Sequence, residues 1–311
     1  MLENLRIQNF KSWQDTGDIR FGSLTGFFGT NSSGKSSILQ FLLMLKQTVE
    51  SSDRSRILHL GGVKSYVNLR TMYDVLHNHQ DPGELVFSFN WKEPEMGYEF
   101  GDDFSRMLAS ITPSSYGFSA VIETRQDIIT LKSFAYTKFN SRFIFKIIEN
   151  EAFSEPHYEL NITNLHSLDN EVISGAFRNS ANFYGVPNGI YRTHPLLENG
   201  LQDVEESFYH FFEQIYYLGP LREYPQSFYS WAGDKPESVG NRGEDAIAAI
   251  LASRQQGPSI IISDDQPKRT VEEHVAYWLK ELGLIYSFVV QPIAPNRKEY
   301  EVRIQRTEVV G

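Results

Sequence analysis

The run Gly29-Thr30-Asn31-Ser32-Ser33-Gly34-Lys35-Ser36-Ser37 sets a glycine, four residues and then Gly-Lys-Ser in one line. That spacing suits the binding of a polyphosphate. Such a ligand needs a nest of backbone N–H groups pointing inward, with no side chain blocking its approach. Gly29 permits a sharp turn, and Gly34 lets the backbone come close where a Cβ would stand in the way. Lys35 supplies a point charge for the β- and γ-phosphates, and the Ser36 hydroxyl is suited to ligate Mg²⁺. The candidate nucleotide-binding residues are therefore Gly29, Asn31, Ser32, Ser33, Gly34, Lys35, Ser36 and Ser37, with Ser36 as the metal contact and ATP·Mg²⁺ as the ligand. A Gly/Ser-rich turn that happens to contain a lysine is the plain alternative.

Positioning such a loop takes a strand before it and a helix after it. Leu24-Thr25-Gly26-Phe27-Phe28 is a short apolar run that predicts the strand. Ile38, Leu39, Phe41, Leu42, Leu43 and Leu45 are apolar over most of a helical circumference, predicting a helix buried against a sheet. Its positive N-terminal end would face the loop. Upstream, Leu5–Phe10 and Ile19–Phe21 alternate apolar and polar as half-buried strands do, around a turn through Asp15–Asp18.

The bulk composition narrows the field. A chain of 311 residues has room for about two domains. With 29 basic against 39 acidic residues the formal net charge is −10, and no Lys/Arg run concentrates positive charge, so DNA binding has no electrostatic support from the sequence. The absence of cysteine removes disulfides, thiolate nucleophiles and cysteine-ligated zinc. Met1-Leu2-Glu3-Asn4 lacks the features of a signal peptide, and no apolar run approaches the roughly 20 residues that cross a bilayer. A soluble, cytoplasmic protein is the expectation.

Further along, Glu84–Trp91 reads as a strand, and His77-Asn78-His79 as a solvated loop. Tyr116–Thr124, Asp127–Tyr136, Arg142–Ile148 and Tyr158–Ile162 are rich in aromatic and β-branched residues and read as antiparallel strands. This gives three expected regions: an N-terminal lobe with the phosphate loop (1–92), a β-rich insertion (93–210) and a continuation of the core (211–311). Val204–Phe212 reads as a helix and Gln214–Leu218 as a strand ending at Gly219-Pro220. Beyond it lie Arg222, Glu223 and Gln226. Helices are predicted over Glu244–Ser253 and Thr270–Leu282, the second with Val271, Val275, Trp278, Leu279 and Leu282 on one face. Leu284–Pro292 and Glu299–Gln305 read as strands.

The stretches "LRIQNFKSW" and "GTNSSGKSSILQFLLMLKQTVES" resemble the N-terminal lobe of ABC-type ATPases of the SMC/RecF/OLD class, including bacterial AAA-family ATPases of anti-phage defence. "YYLGPLREYPQ" (Tyr216–Gln226) and "VAYWLKELG" (Val275–Gly283) are similar to that class as well. The resemblance implies an α/β P-loop NTPase of ABC type, with a mixed sheet carrying N-terminal antiparallel strands. It implies a head that dimerises or oligomerises around ATP and drives a nuclease or other effector, in defence or DNA maintenance. It also implies a glutamine loop near residue 226, for which Gln226 or Arg222 are the candidate catalytic residues; a buried structural ion pair is the alternative there.

Two expected elements are not legible: a Ser-Gly-type signature and an apolar strand ending in Asp-Glu. Ser259–Pro267 imitates the latter, but Ser263 interrupts its apolar run and Asp265 is shorter than the glutamate that would hold water. In the resembled class both elements lie after the "WLKELG" segment. The chain thus reads as the front portion of a longer or divided ATPase, expected to hydrolyse ATP poorly alone. A nucleotide-binding regulatory or scaffold module is the second reading. A GTPase lacks support, since no Asn/Thr-Lys-x-Asp element is present, and a compact kinase fits poorly with two strands before the loop.

Overall fold

The computed structural model describes residues 1–53, 56–62, 65–93, 115–138, 141–148, 157–163, 172–175, 184–187, 190, 195–257, 259–261 and 268–306. The chain divides into two compact units, Met1–Ile215 and Tyr216–Gly311.

In the first unit the alternation in the sequence becomes one large sheet. Its strands are β1 (Leu2–Phe10), β2 (Trp13–Asp15), β3 (Ile19–Arg20), β4 (Gly83–Lys92), β5 (Ser115–Arg125), β6 (Ile128–Lys138), β7 (Ser141–Ile148), β8 (His157–Thr163) and β9 (Val172–Gly175). The order is β2-β1-β4-β5-β6-β7-β8-β9, with β3 also paired to β1. Consecutive strands from β4 onward simply meander. Strands β4 and β5 pair over their full length, with Phe89 opposite Phe118 and Trp91 opposite Tyr116.

Side chains of a strand point alternately to the two faces of a sheet. One face of this sheet therefore gathers Leu85, Phe87, Phe89 and Trp91 with Phe118, Ile122, Phe134, Tyr136, Phe145 and Leu160, all buried. Against it pack α1 (Lys35–Val49) and, later in the chain, α3 (Pro195–Glu213). Between them, the short α2 (Met72–Val75) opens on Thr71, whose side chain accepts from the Asp74 amide. Phe41 of α1 meets Phe10 and Phe87 at centroid distances of 5.3 and 5.0 Å. Phe208 of α3 lies within 6.0 Å of the rings of Phe89, Phe118, Tyr136 and Tyr184. Each aromatic pair adds about 0.5–1.5 kcal/mol beyond the area it buries. Within this layer Trp91 Nε1 donates to Ser207 Oγ at 3.0 Å, whereas the buried Thr124 Oγ1 has no partner among the described residues. The buried Lys46 ammonium donates to the Phe212 carbonyl at 2.8 Å and pairs with Glu50 at 2.6 Å. Lys46 thereby ties α1 to the end of α3.

Two predicted strands are absent. Leu24–Phe28 forms neither helix nor strand, and Leu24 and Phe28 are 95% and 94% exposed. Apolar character gave the segment strand propensity, but no strand among the described residues pairs with it, and a lone strand leaves its ladder groups unmatched. Gln214–Leu218 is likewise irregular, with Tyr216 and Leu218 exposed. All pairings among the described strands are antiparallel, so the expected mixed sheet is found only in its antiparallel part.

The second unit is smaller. A three-stranded sheet of β10 (Tyr229–Ser230), β12 (Glu299–Gln305) and β11 (Ser287–Pro292) carries α4 (Ala246–Ser253) and α5 (Val271–Glu281). Its core is Ile250, Leu251 and Val290, with Trp231, Ile247, Val271 and Tyr300 packed around them. Helix α5 begins with a capping box, in which Thr270 and Glu273 satisfy each other's backbone N–H groups. Trp278 and Leu282, on the apolar face predicted for this helix, are 51% and 67% exposed. Among the described residues no helix is long and apolar enough to cross a membrane.

Phe208→Ala removes a ring at the centre of the first unit's aromatic layer and should lower its stability by about 3–5 kcal/mol. Phe28→Ala, on the exposed segment, should change it by less than about 0.5 kcal/mol. Urea denaturation followed by near-ultraviolet dichroism measures both.

Candidate phosphate site

The loop from Gly29 to Gly34 joins the exposed Leu24–Phe28 segment to α1. Gly29 has φ 150°, Ser32 φ 64° and Gly34 φ 88°, so the backbone turns to positive φ three times before the helix begins. Gly34 is the residue at which the helix starts, and its position has no room for a side chain. A Cβ there would lie 2.4 Å from Ser12 Oγ and 2.5 Å from Trp13 Nε1. Only glycine combines that φ with that proximity.

The first turn of α1 is bare. No side chain caps it and it contains no acidic residue. Helix α5, by contrast, opens on a capping box with Glu272 and Glu273 in its first turn. Uncapped first-turn amides together with the helix dipole favour an anion at this end. The Lys35 ammonium folds back over the loop and donates to the carbonyls of Gly29 and Thr30 at 2.8 and 2.6 Å. The loop also closes on itself through Ser33 N–H to the Thr30 carbonyl at 3.3 Å. Asn31, Ser32, Ser33 and Ser36 are exposed, whereas Ser37 and Ile38 turn into the core. The sequence thus brings Gly29, Asn31, Ser32, Ser33, Gly34, Lys35, Ser36 and Ser37 into one short loop and helix start.

What holds this loop in place comes from the turn between β1 and β2. Trp13 Nε1 donates to the Gly34 carbonyl at 3.1 Å. Lys11 Nζ donates to Gln40 Oε1 on α1 at 2.7 Å, and the Lys11 N–H donates to the Val75 carbonyl at 2.7 Å. Burial pushes the Lys11 ammonium below its ordinary value, with the Asp74 charge acting in the opposite sense. Lys11 and Asn9 both adopt positive φ, 50° and 63°. This strained turn grips the beginning of α1 at two levels. Neither Lys11 nor Trp13 has a role in the phosphate-loop pattern. The signal for them was the break in strand alternation at Lys11-Ser12-Trp13, which a motif search passes over. Farther along β2, Asp15 accepts from Arg6, from Gln8 and from the Gly17 N–H, which hold its carboxyl well below the usual carboxylate range.

The histidines of His77-Asn78-His79 are engaged with backbone. His77 Nδ1 lies 2.8 Å from the Lys11 carbonyl oxygen and His79 Nδ1 lies 2.7 Å from that of Tyr73. Among the described residues no group of three or more His, Asp or Glu side chains is arranged to hold a metal. A magnesium ion would be held by Ser36 together with the phosphates it accompanies. The donor set fits ATP·Mg²⁺: free amides, an ammonium and a hydroxyl at a helix start where a Cβ cannot be accommodated.

Arg222 and Gln226 lie in the second unit and are exposed. The Gln226 N–H donates to Tyr229 Oη at 3.2 Å. The ion pair at this loop is Glu223 with Arg242, at 3.3 Å and partly exposed, so Arg222 is not part of a buried pair. In the stretch that imitates an Asp-Glu strand, Ile260 bridges Arg269, while Asp264 and Asp265 lie outside the described residues.

A family model for the AAA ATPase domain matches residues 1–183, more than half of the chain and inclusive of the whole loop. No curated protein matches the chain.

Gly34→Ala should abolish binding of a fluorescent ATP analogue with Mg²⁺, because a Cβ cannot be placed at this φ between Ser12 and Trp13 without moving the loop and the start of α1. Trp13→Phe keeps the ring and removes one hydrogen bond, so affinity should fall by about 2- to 10-fold with little change in melting temperature. Unchanged affinity in Trp13→Phe would show that this hydrogen bond does not shape the loop.

Proposed function

The chain belongs to the AAA ATPase domain family, and from that premise we propose that it is an ATP-driven conformational switch of the SMC/RecF/OLD kind. The observation that carries the proposal is the uncapped start of α1 at left-handed Gly34, with the Lys35 ammonium lying over the loop. Family membership supports ATP binding and ATPase chemistry. The resemblance of "LRIQNFKSW" and the phosphate loop to SMC/RecF/OLD heads supports the finer reading.

In this reading the amides from Gly29 to Ser37 orient the phosphates, and Lys35 exchanges its two carbonyl partners for phosphate oxygens. Those charge-assisted bonds are stronger than the neutral ones they replace. Ser36 holds Mg²⁺. Bound Mg²⁺·ATP supplies the scissile phosphoanhydride and a cation that offsets its charge. Water-activating and γ-phosphate-reaching groups come from a second protomer. Closure of two heads around nucleotide would pass a conformational change to a partner effector such as a nuclease, in phage defence or DNA maintenance. Gln226 and Arg222 would act as the nucleotide-sensing loop of the second unit.

Steady-state ATP turnover by the 311-residue chain tests this. We expect saturable ATP·Mg²⁺ binding, slow turnover that rises more than linearly with protein concentration, and loss of both in Lys35→Ala. Binding with no turnover at any concentration would favour the regulatory-module reading. Fast, concentration-independent turnover abolished by Asp265→Asn would overturn the proposal and give the Ser259–Pro267 stretch the catalytic role.

A further inference from the structure

The face of the large sheet that points away from α1 and α3 is not flat. Strands β5 and β6 slip register between Val121 and Ile122, a bulge that sharpens the local twist and bends the sheet. Small side chains occupy the middle of this face. The result is a trough of about 300 Å³ whose lining includes Val86, Ser119, Val121, Ala135, Arg142 and Ile144. That volume is at the lower end of the range for small-ligand sites.

Two cations line the trough, Arg6 and Arg142, and their charges are answered differently. Arg6, at one rim, is engaged bidentately by Asp15 at 3.1 and 2.7 Å. Lys132 pairs with Glu123 at 2.5 Å and Lys92 with Glu3 at 2.6 Å. Arg142, at the opposite rim, has no carboxylate partner among the described residues. Its Nη2 donates only to Ser119 Oγ, at a long 3.3 Å. An exposed guanidinium with free donors above an apolar floor matches an anionic group borne on a short apolar body.

We propose that this trough binds a small organic monoanion, a carboxylate or a phosphate diester. Its charged oxygens meet Arg142 and the Ser119 hydroxyl, and its apolar part rests on Val86, Val121, Ala135 and Ile144. Arg142 is the one cation of the trough's lining without a carboxylate partner among the described residues, which suits a ligand with about one negative charge. The site is separate from the phosphate loop, whose binding groups are on the loop and α1, and it does not rest on the ATPase reading.

The test uses the full chain with labelled valine, alanine and isoleucine methyl groups, titrated separately with hexanoate and methyl phenyl phosphate. We expect saturable methyl shifts at Val121 and Ile144 with at least one probe below about 10 mM. A response to hexanoate alone assigns the carboxylate class, and to methyl phenyl phosphate alone the phosphate-diester class. Arg142→Met should weaken binding by about tenfold or more, and Val121→Phe, which fills the floor, should abolish it. Neither variant should alter ATP·Mg²⁺ binding. The absence of saturable shifts with both probes, or equal affinity in Arg142→Met, would overturn the proposal.

Discussion

The candidate phosphate site depends on one steric constraint, the absence of a Cβ at Gly34. Its φ of 88° and its closeness to Ser12 and Trp13 bring the β1–β2 turn, the loop and the start of α1 to one point. From there the helix runs into the core: from Ser37 to Val49 nearly every side chain is buried. The N-terminal end, by contrast, stays open and uncapped. A helix rigidly packed along its length and bare at its positive end is a fixed electrostatic device, and its rigidity comes from the sheet beneath it.

That sheet is held by aromatic burial more than by hydrogen-bonded register alone. Phe41, Phe87, Phe89, Phe118 and Phe208 form a continuous chain of ring contacts from α1 across β4 and β5 to α3. Burying one such side chain is worth about 1.5–3 kcal/mol. Lys46 is the polar complement: it is buried on α1 and its ammonium closes on the last turn of α3. The loop's geometry is therefore coupled to residues more than 160 positions later in the chain.

Much of this was legible from the sequence. The loop pattern gathers the candidate phosphate-site residues into one loop and helix start because backbone conformation there is dictated by glycine, a local property. The strands from Glu84 to Ile162 were legible because period-two alternation in aromatic and β-branched residues is also local. Leu24–Phe28 and Gln214–Leu218 were misread as strands. Apolar composition measures propensity, whereas a strand exists only when another strand pairs with it. The Lys11–Gln40 and Trp13–Gly34 bonds were invisible for a related reason, since each joins residues more than 20 positions apart. The trough beside Arg142 depends on a bulge between β5 and β6, and register cannot be read from either strand alone.

The central claim is that Thr30–Ser37 grips a nucleotide's phosphates. Amide chemical shifts of the ¹⁵N-labelled chain during titration with ATP·Mg²⁺ test it most directly. The account expects the largest saturable shifts at Gly34, Lys35, Ser36 and Ser37, with the Trp13 indole N–H moving in step and the methyl groups of Val121 and Ile144 unmoved. Saturable ATP binding that leaves those four amides in place would contradict it.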